Sequence, residues 1–317
     1  MRKRSAIVAI SLFLILVVAS CGYKPTLKLK QGATYMVEVT TDQKVTQTIF
    51  GVKQDMNQNL SMVYAFDVEE IRPNKHALVK VTYHSIYVKH QGLDGTYEYD
   101  SKNPPAFVPP ALTGYASLMN RSFQIVLQPN GMVSEIMGID EMIRGLLDEM
   151  QVPAGPGREV LEDSLEEEFG SQAMKEMIGQ MMAIYPEQPV KQGGSWTRTI
   201  VVNQGFPMTL ENTWTLKHRE GGVSTIEISS IITPAPSAEP LKVGETSISY
   251  SDVSGSQTGT MQMDESTGLV VKSNMNQTFF GNIHIEQAGQ KFSWPITIES
   301  GMTFRMTEKN RSDTTRE

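Results

Sequence analysis

The 317-residue chain contains one cysteine, Cys21. No disulfide can form within it, so the fold must hold by packing alone even in an oxidising compartment. Histidine is scarce, with five in all, and no two stand at a metal-ligand spacing. His84 and His90 come nearest, but on an extended strand they lie roughly 20 Å apart, too far to share an ion. After residue 20 no apolar run is long enough to cross a bilayer as a helix. Gly-x-Ser-x-Gly, His-Glu-x-x-His, the phosphate loop and the dinucleotide motif Gly-x-Gly-x-x-Gly are missing, so no catalytic residue, metal ligand or cofactor is expected. Basic residues are outnumbered. Residues 1–20 hold three of the 28 basic residues and none of the 35 acidic ones, leaving the remainder a formal charge of −10. That balance argues against nucleic acid as a partner and against a basic surface for anionic lipids.

What is present begins with a leader. Arg2, Lys3 and Arg4 precede an apolar run, Ala6 to Ala19, broken only by Ser11. The run falls short of the about 20 apolar residues of a membrane span. Val18-Ala19-Ser20-Cys21 follows and resembles the lipobox of bacterial lipoproteins. The resemblance implies that residues 1–20 are a signal peptide and that Cys21 takes a diacylglyceryl group and becomes the new N-terminus. Gly22 is not the aspartate that holds such proteins at the inner membrane of enterobacteria, so the implied address is the outer membrane, facing periplasm or surface. Several acyl chains anchor firmly where one binds only marginally. Residues 21–28 read as a short tether.

Strands dominate the rest. In the first β-rich half, residues 29–135, Tyr35, Val37 and Val39 alternate with polar neighbours, and Leu60, Met62, Tyr64, Phe66 and Val68 do the same. Ala77 to His90 reads as a strand with Val79, Val81, Tyr83 and Tyr87 on one face and His84 and His90 on the other. Asn103 to Pro110 is a proline-rich connector, and Ala111 to Met119 a short helix. Phe123, Ile125 and Leu127 lead into the turn Pro129-Asn130-Gly131. The second half, residues 187–307, opens with an echo: Lys30-Gln31-Gly32 returns as Lys191-Gln192-Gly193, and Glu265 to Gly268 mirrors the turn at Gly131. Segments 245–251 and 259–263 read as two separate strands, and residues 308–317 as a polar tail.

Between the halves lies a helical segment, residues 136–186. Ile139, Met142, Ile143, Leu146, Leu147 and Met150 fall on one helical face, with Asp140 as N-cap or first-turn acid. Pro153 to Gly157 breaks the helix. A second run ends at Gly170, and Ser171 opens a third that carries Met174, Met177, Ile178, Met181 and Met182. Thioethers suit Cu(I), but no histidine or cysteine joins these methionines, so they are expected to pack on the sheet. A flexible lid over an apolar groove is the other use of such a surface.

The Lys-Gln-Gly opening, with Phe123, Ile125, Leu127, Pro129, Gly131, Val133, Ile136 and Gly138, resembles a family of unknown function among bacterial lipoproteins, commonest in Bacteroidota-type bacteria. These are turn and strand positions and carry structure, not catalysis. A meander with helices is also similar in layout to half-barrel lipoprotein carriers of the LolA and LolB type, although fold does not fix function. The expectation is an α+β, mainly antiparallel protein: two duplicated curved sheets or half-barrels, with the central helices packed against them. The expected function is non-enzymatic: a lipid-anchored cell-envelope lipoprotein that binds the membrane through Cys21 and takes an apolar ligand or an envelope protein partner. A purely structural or assembly role stands second. A hydrolase with an unrecognised carboxylate site stands third.

Overall fold

In the computed structural model, which describes residues 22–93, 95–181, 184–202, 207–236, 240–243 and 246–309, the strands pair antiparallel into one open, curved sheet. In chain order β1 (Thr34–Ile49), β2 (Val52–Ile71), β3 (Ala77–Gly92) and β4 (Gly95–Asp100) precede α1 (Thr113–Ser117), β5 (Ser122–Leu127) and β6 (Val133–Met137). The helices α2 (Ile139–Glu149), α3 (Pro156–Phe169) and α4 (Ser171–Met181) follow. Then come β7 (Ser195–Val202), β8 (Met208–Glu220), β9 (Val223–Pro234), β10 (Leu241–Val243), β11 (Thr246–Asp264), β12 (Val270–Gln287) and β13 (Gln290–Glu308). The order across the sheet is β6-β5-β3-β2-β1-β13-β12-β11-β9-β8-β7, with β4 on β3 and β10 on β11.

The two β-rich halves join edge to edge. Leaving β13 aside, β6-β5-β3-β2-β1 and β12-β11-β9-β8-β7 run in the same order. The echo in sequence is an echo in geometry. Gly32 N–H donates to Val68 O (2.8 Å) and Val68 N–H returns to Ala33 O (2.9 Å); Gly193 N–H donates to Leu216 O (2.7 Å) and Leu216 N–H returns to Gly194 O (3.0 Å). Both glycines have positive φ, 76° and 82°, where a Cβ would be strained. A bulge follows Val68 in β2 and Leu216 in β8. Gly131 and Gly268, at φ 81° and 72°, close the two turns.

One end of the sheet, here called proximal, carries these turns. The segment after Gly22 is strapped across it. Tyr23 and Val190 exchange two backbone bonds of 2.8 Å, Leu27 N–H donates to Pro129 O and Lys28 N–H to Thr267 O, both at 2.7 Å. The stretch read as a tether is therefore docked from Tyr23 onward, with Leu27 buried. The distal end carries the hairpin tips Phe50-Gly51 and Ala288-Gly289.

The helices pack on the proximal half, against β3, β5 and β6. Ile139, Ile143 and Leu147 of α2 are buried, each burial stabilising by about 1.5–3 kcal/mol. Met142, Met174 and Ile178 pack beside them; the side chains of Met177 and Met181 lie outside the described residues. Asp140 is a first-turn acid of α2, whose N-cap is Gly138, and its carboxylate accepts from Ser171 N–H at 3.1 Å, tying α2 to the start of α4.

Two strands depart from their sequence readings: 245–251 and 259–263, read as separate strands, are joined in β11, and β3 changes phase. β3 is bulged at His84: Tyr83 pairs with Tyr64 and Ser85 with Val63. The extra residue reverses the alternation. Ile86, Val88 and His90 therefore join Val79, Val81 and Tyr83 on the inner face, and Tyr87 turns outward.

Candidate binding face

The inner face is read row by row through the register. Its proximal rows belong to a filled core in which Val79, Leu147 and Met263 are fully buried. One row is Val88, Leu60, Thr41, Met302 and Met275, running from β3 to β12. Two residues further out the apolar members of the row give way to polar ones. His90, Gln58, Gln43 and Ser300 stand in register, and the row continues through Gln277, Gln257, Ser230, Asn212 and Arg198. The next row is apolar again: Met56, Val45, Ile298, Phe279, Gly255, Ile232, Leu210 and Ile200. Ile232, Val253, Phe279, Ile296 and Ile298 make a second cluster there, with no helical residue among its described members. Beyond it Ile283, Ile285, Phe292 and Trp294 are half-buried, and Trp294 Nε1–H donates to Gln47 Oε1 at 2.9 Å.

The opposite face is polar. A groove of about 450 Å³ crosses five strands, lined by the outward residues Asp42 and Lys44, Asn57 and Asn59, Lys89 and Gln91 among others, and also by the residues between them, Gln43, Gln58, Gln277 and Ser300. Asn59 donates to Asp42, Lys44 pairs with Asp55 at 3.3 Å and Lys89 with Glu98 at 3.2 Å. The charges are mixed, so the groove does not converge carboxylates for acid–base work.

At the proximal end a polar pocket of about 400 Å³ lies beside the strap. Arg219 donates twice to Glu265, at 2.7 and 2.8 Å, and its guanidinium sits 4.3 Å from the centre of the Tyr23 ring. Ser224 also donates to Glu265. The Arg219 bonds, with help from Ser224, hold the Glu265 carboxyl below the usual glutamate range. A depressed folded-state value stabilises the fold above the unfolded-chain value near about 4.3 and stops doing so as pH falls through the folded one. Urea unfolding of Glu265→Gln between neutral and acid pH should therefore show a shallower loss of stability on the acid side than the parent. An identical acid limb would mean that the pair contributes nothing.

Among the described residues one serine–histidine pair invites a catalytic reading. Ser251 Oγ lies 2.7 Å from His284 Nε2 and donates to Asp252 Oδ2 at 3.0 Å, and Asn282 donates to the same oxygen at 2.8 Å. In a nucleophilic triad the carboxylate holds the imidazole, which takes the hydroxyl proton. Here the carboxylate holds the serine, so the imidazole must donate. The cluster staples the bulge at Asp252, whose φ is 54°. Among the described residues no group of three or more His, Cys, Asp or Glu side chains could hold a metal ion. Cys21 lies outside the described residues.

Residues 74–270 match a family of unknown function, DUF6263. The chain belongs to this family. The match runs from the turn before β3 to the start of β12, so it takes in the central helices and most strands of both halves. None of the curated proteins matches the chain. Among solved structures it is similar to lipovitellin, described for its lipid–protein interactions: 7% identity, TM-score 0.49, over 88% of this chain and 25% of that one. The chain thus spans a quarter of the lipovitellin chain. An outer membrane channel of Pseudomonas putida F1 (8% identity, 89% and 97% coverage, TM-score 0.22) and OccK2 of Pseudomonas aeruginosa (6%, 86% and 67%, 0.16) also align. At these scores none of them bears on the function argued below.

Proposed function

We propose that the protein is a non-enzymatic, lipid-anchored lipoprotein of the cell envelope, held at the outer membrane through Cys21, that binds an acyl-chain ligand on the distal half of the inner face. The observation that supports this is the uncapped apolar surface: the helices pack at the proximal end, Val45, Met56, Ile283 and Trp294 stay half-buried, and the cluster to which Val45 and Ile283 belong holds no helix residue among the described ones. Such a surface costs free energy in water and gains it on covering, at roughly 25 cal/mol per Å². The filled proximal core argues against a ligand beneath the helices. Because Tyr23 is pinned to Val190, only Cys21 and Gly22 separate the acyl anchor from the folded body, a leash of about 7 Å. The proximal end would then face the bilayer and the binding face would open away from it.

Trp294 reports on this face, whereas Trp196 and Trp214 belong to the proximal cluster. A monoacylglycerol brominated on its acyl chain, which quenches tryptophan on contact, should quench the Cys21→Ser protein, and Trp294→Phe should remove most of that quenching. Quenching that survives Trp294→Phe, or none at all, would refute the reading. A protein partner at the distal tips is the second reading. It is favoured by Phe50, which is 85% exposed at φ 49°, a position that gives this ring no part in the core.

A further inference from the structure

The uncapped face is not uniformly apolar: a polar row crosses it beside the filled core, and Gln47 and Gln54 add polar groups nearer the tips of β1 and β2. On the adjacent strands β2, β1, β13 and β12 the row is Gln58, Gln43, Ser300 and Gln277, in register. All four side chains are half-buried, none is charged, and none makes a hydrogen bond to another described residue. Elsewhere the row satisfies itself: Ser230 Oγ–H donates to Asn212 Oδ1 at 2.6 Å, and both are buried. Polar groups set among apolar neighbours normally find partners. These four have Leu60 and Met302 on one side and Val45 and Ile298 on the other, and so present amide and hydroxyl groups that a ligand can satisfy.

The spacing sets the rest of the ligand. From Gln43 to Ile49, at the distal tip, six residues of strand span roughly 20 Å. One leaflet of acyl chains occupies about 15 Å, half of a hydrocarbon core of about 30 Å. An acyl chain therefore fits between the row and the tips. The proximal side is closed to it, because the filled core lies there. The row ends at His90 on β3 and at Arg198 on β7, and the four residues on β2, β1, β13 and β12 carry no charge.

We infer that the ligand of this face is a neutral amphiphile: an acyl chain directed toward the distal tips, joined to an uncharged ester, amide or sugar group that hydrogen-bonds to Gln43, Gln58, Gln277 and Ser300. This rests on the binding reading above and adds the chemistry of the ligand. Monopalmitoylglycerol and pyrene, a hydrocarbon without polar atoms, separate the two claims when both are titrated into the full-length Cys21→Ser chain. Monopalmitoylglycerol should bind more tightly, and Gln43→Leu or Gln277→Leu should weaken it by roughly five- to tenfold, the loss of one or two hydrogen bonds, while pyrene binding holds or tightens. Ser300→Ala removes only a hydroxyl and should give the same contrast more weakly, which covers the case in which a leucine variant does not fold. If both probes bind but the variants treat them alike, the polar row is not a recognition element and the inference fails while the binding reading stands. If the parent binds neither, both fail.

Discussion

Cys21→Ser protein should move from the membrane pellet to the soluble fraction almost completely. The expectation rests on the basic leader, the apolar run and Val18-Ala19-Ser20 immediately before the only cysteine in the chain. A single acyl chain binds membranes with a constant of only about 10⁴ M⁻¹, so stable attachment requires the several chains that a modified N-terminal cysteine would bear. Serine accepts no thioether-linked lipid, and the described residues contain no helix long and apolar enough to cross a membrane. The effect should be all or nothing. Fractionation with a high-salt wash, followed by immunoblotting, reads it. Pellet-bound Cys21→Ser protein would mean that the leader stays on the chain as a span, and the acyl anchor would have to be abandoned.

Gly268→Ala should be the most damaging of the glycine substitutions compared here, at about 3–4 kcal/mol. Two causes add. The residue has φ 72°, where a non-glycine residue costs roughly 1–2 kcal/mol. An added Cβ would also collide with the carbonyl of Thr26, pushing the strap away and exposing Leu27, whose burial stabilises by about 1.5–3 kcal/mol. Gly51 is the control. Its φ is 79°, but a Cβ there meets nothing, so Gly51→Ala should cost only the backbone part, about 1–2 kcal/mol. Urea denaturation of the two variants isolates the strap by difference. Equal losses would show that the strap contributes little to the fold.

Some of this was legible from residue order alone and some was not, for identifiable reasons. The echo of Lys30-Gln31-Gly32 in Lys191-Gln192-Gly193 was legible because a turn at positive φ demands glycine in both places. The helix face of Ile139, Ile143 and Leu147 was legible because helical spacing survives wherever one side is buried. The distal halves of β1 and β2 were silent. Asp42, Gln43 and Lys44 are polar on both faces, so the alternation that marks a strand vanishes where the polar row crosses it. Residues 246–264 read as two strands but form one. Gly255 and Gly259 lie close against the β12 backbone, where a Cβ would collide, and an inward glycine gives no apolar signal. The phase of β3 was misread because no residue type announces a bulge at His84. The polar row could not be found before the register was known, since its members are scattered from His90 to Ser300.

The pairing of β1 with β13 has a consequence for how the chain matures. The first and last strands meet at the middle of the sheet, Tyr35 opposite Glu308 and Gln47 opposite Ile296. During synthesis each half can form its own hairpins from near neighbours, but the two remain unjoined until β13 emerges. Contacts of such long sequence separation form late and slowly. Until then β1 and β12 are open edges of 16 and 18 residues, ready to pair with any passing strand. A nascent chain stalled or cleaved just before Gln290 would therefore be a seed for aggregation and not a smaller version of the protein, and what must be guarded during maturation is the interval before β13 arrives.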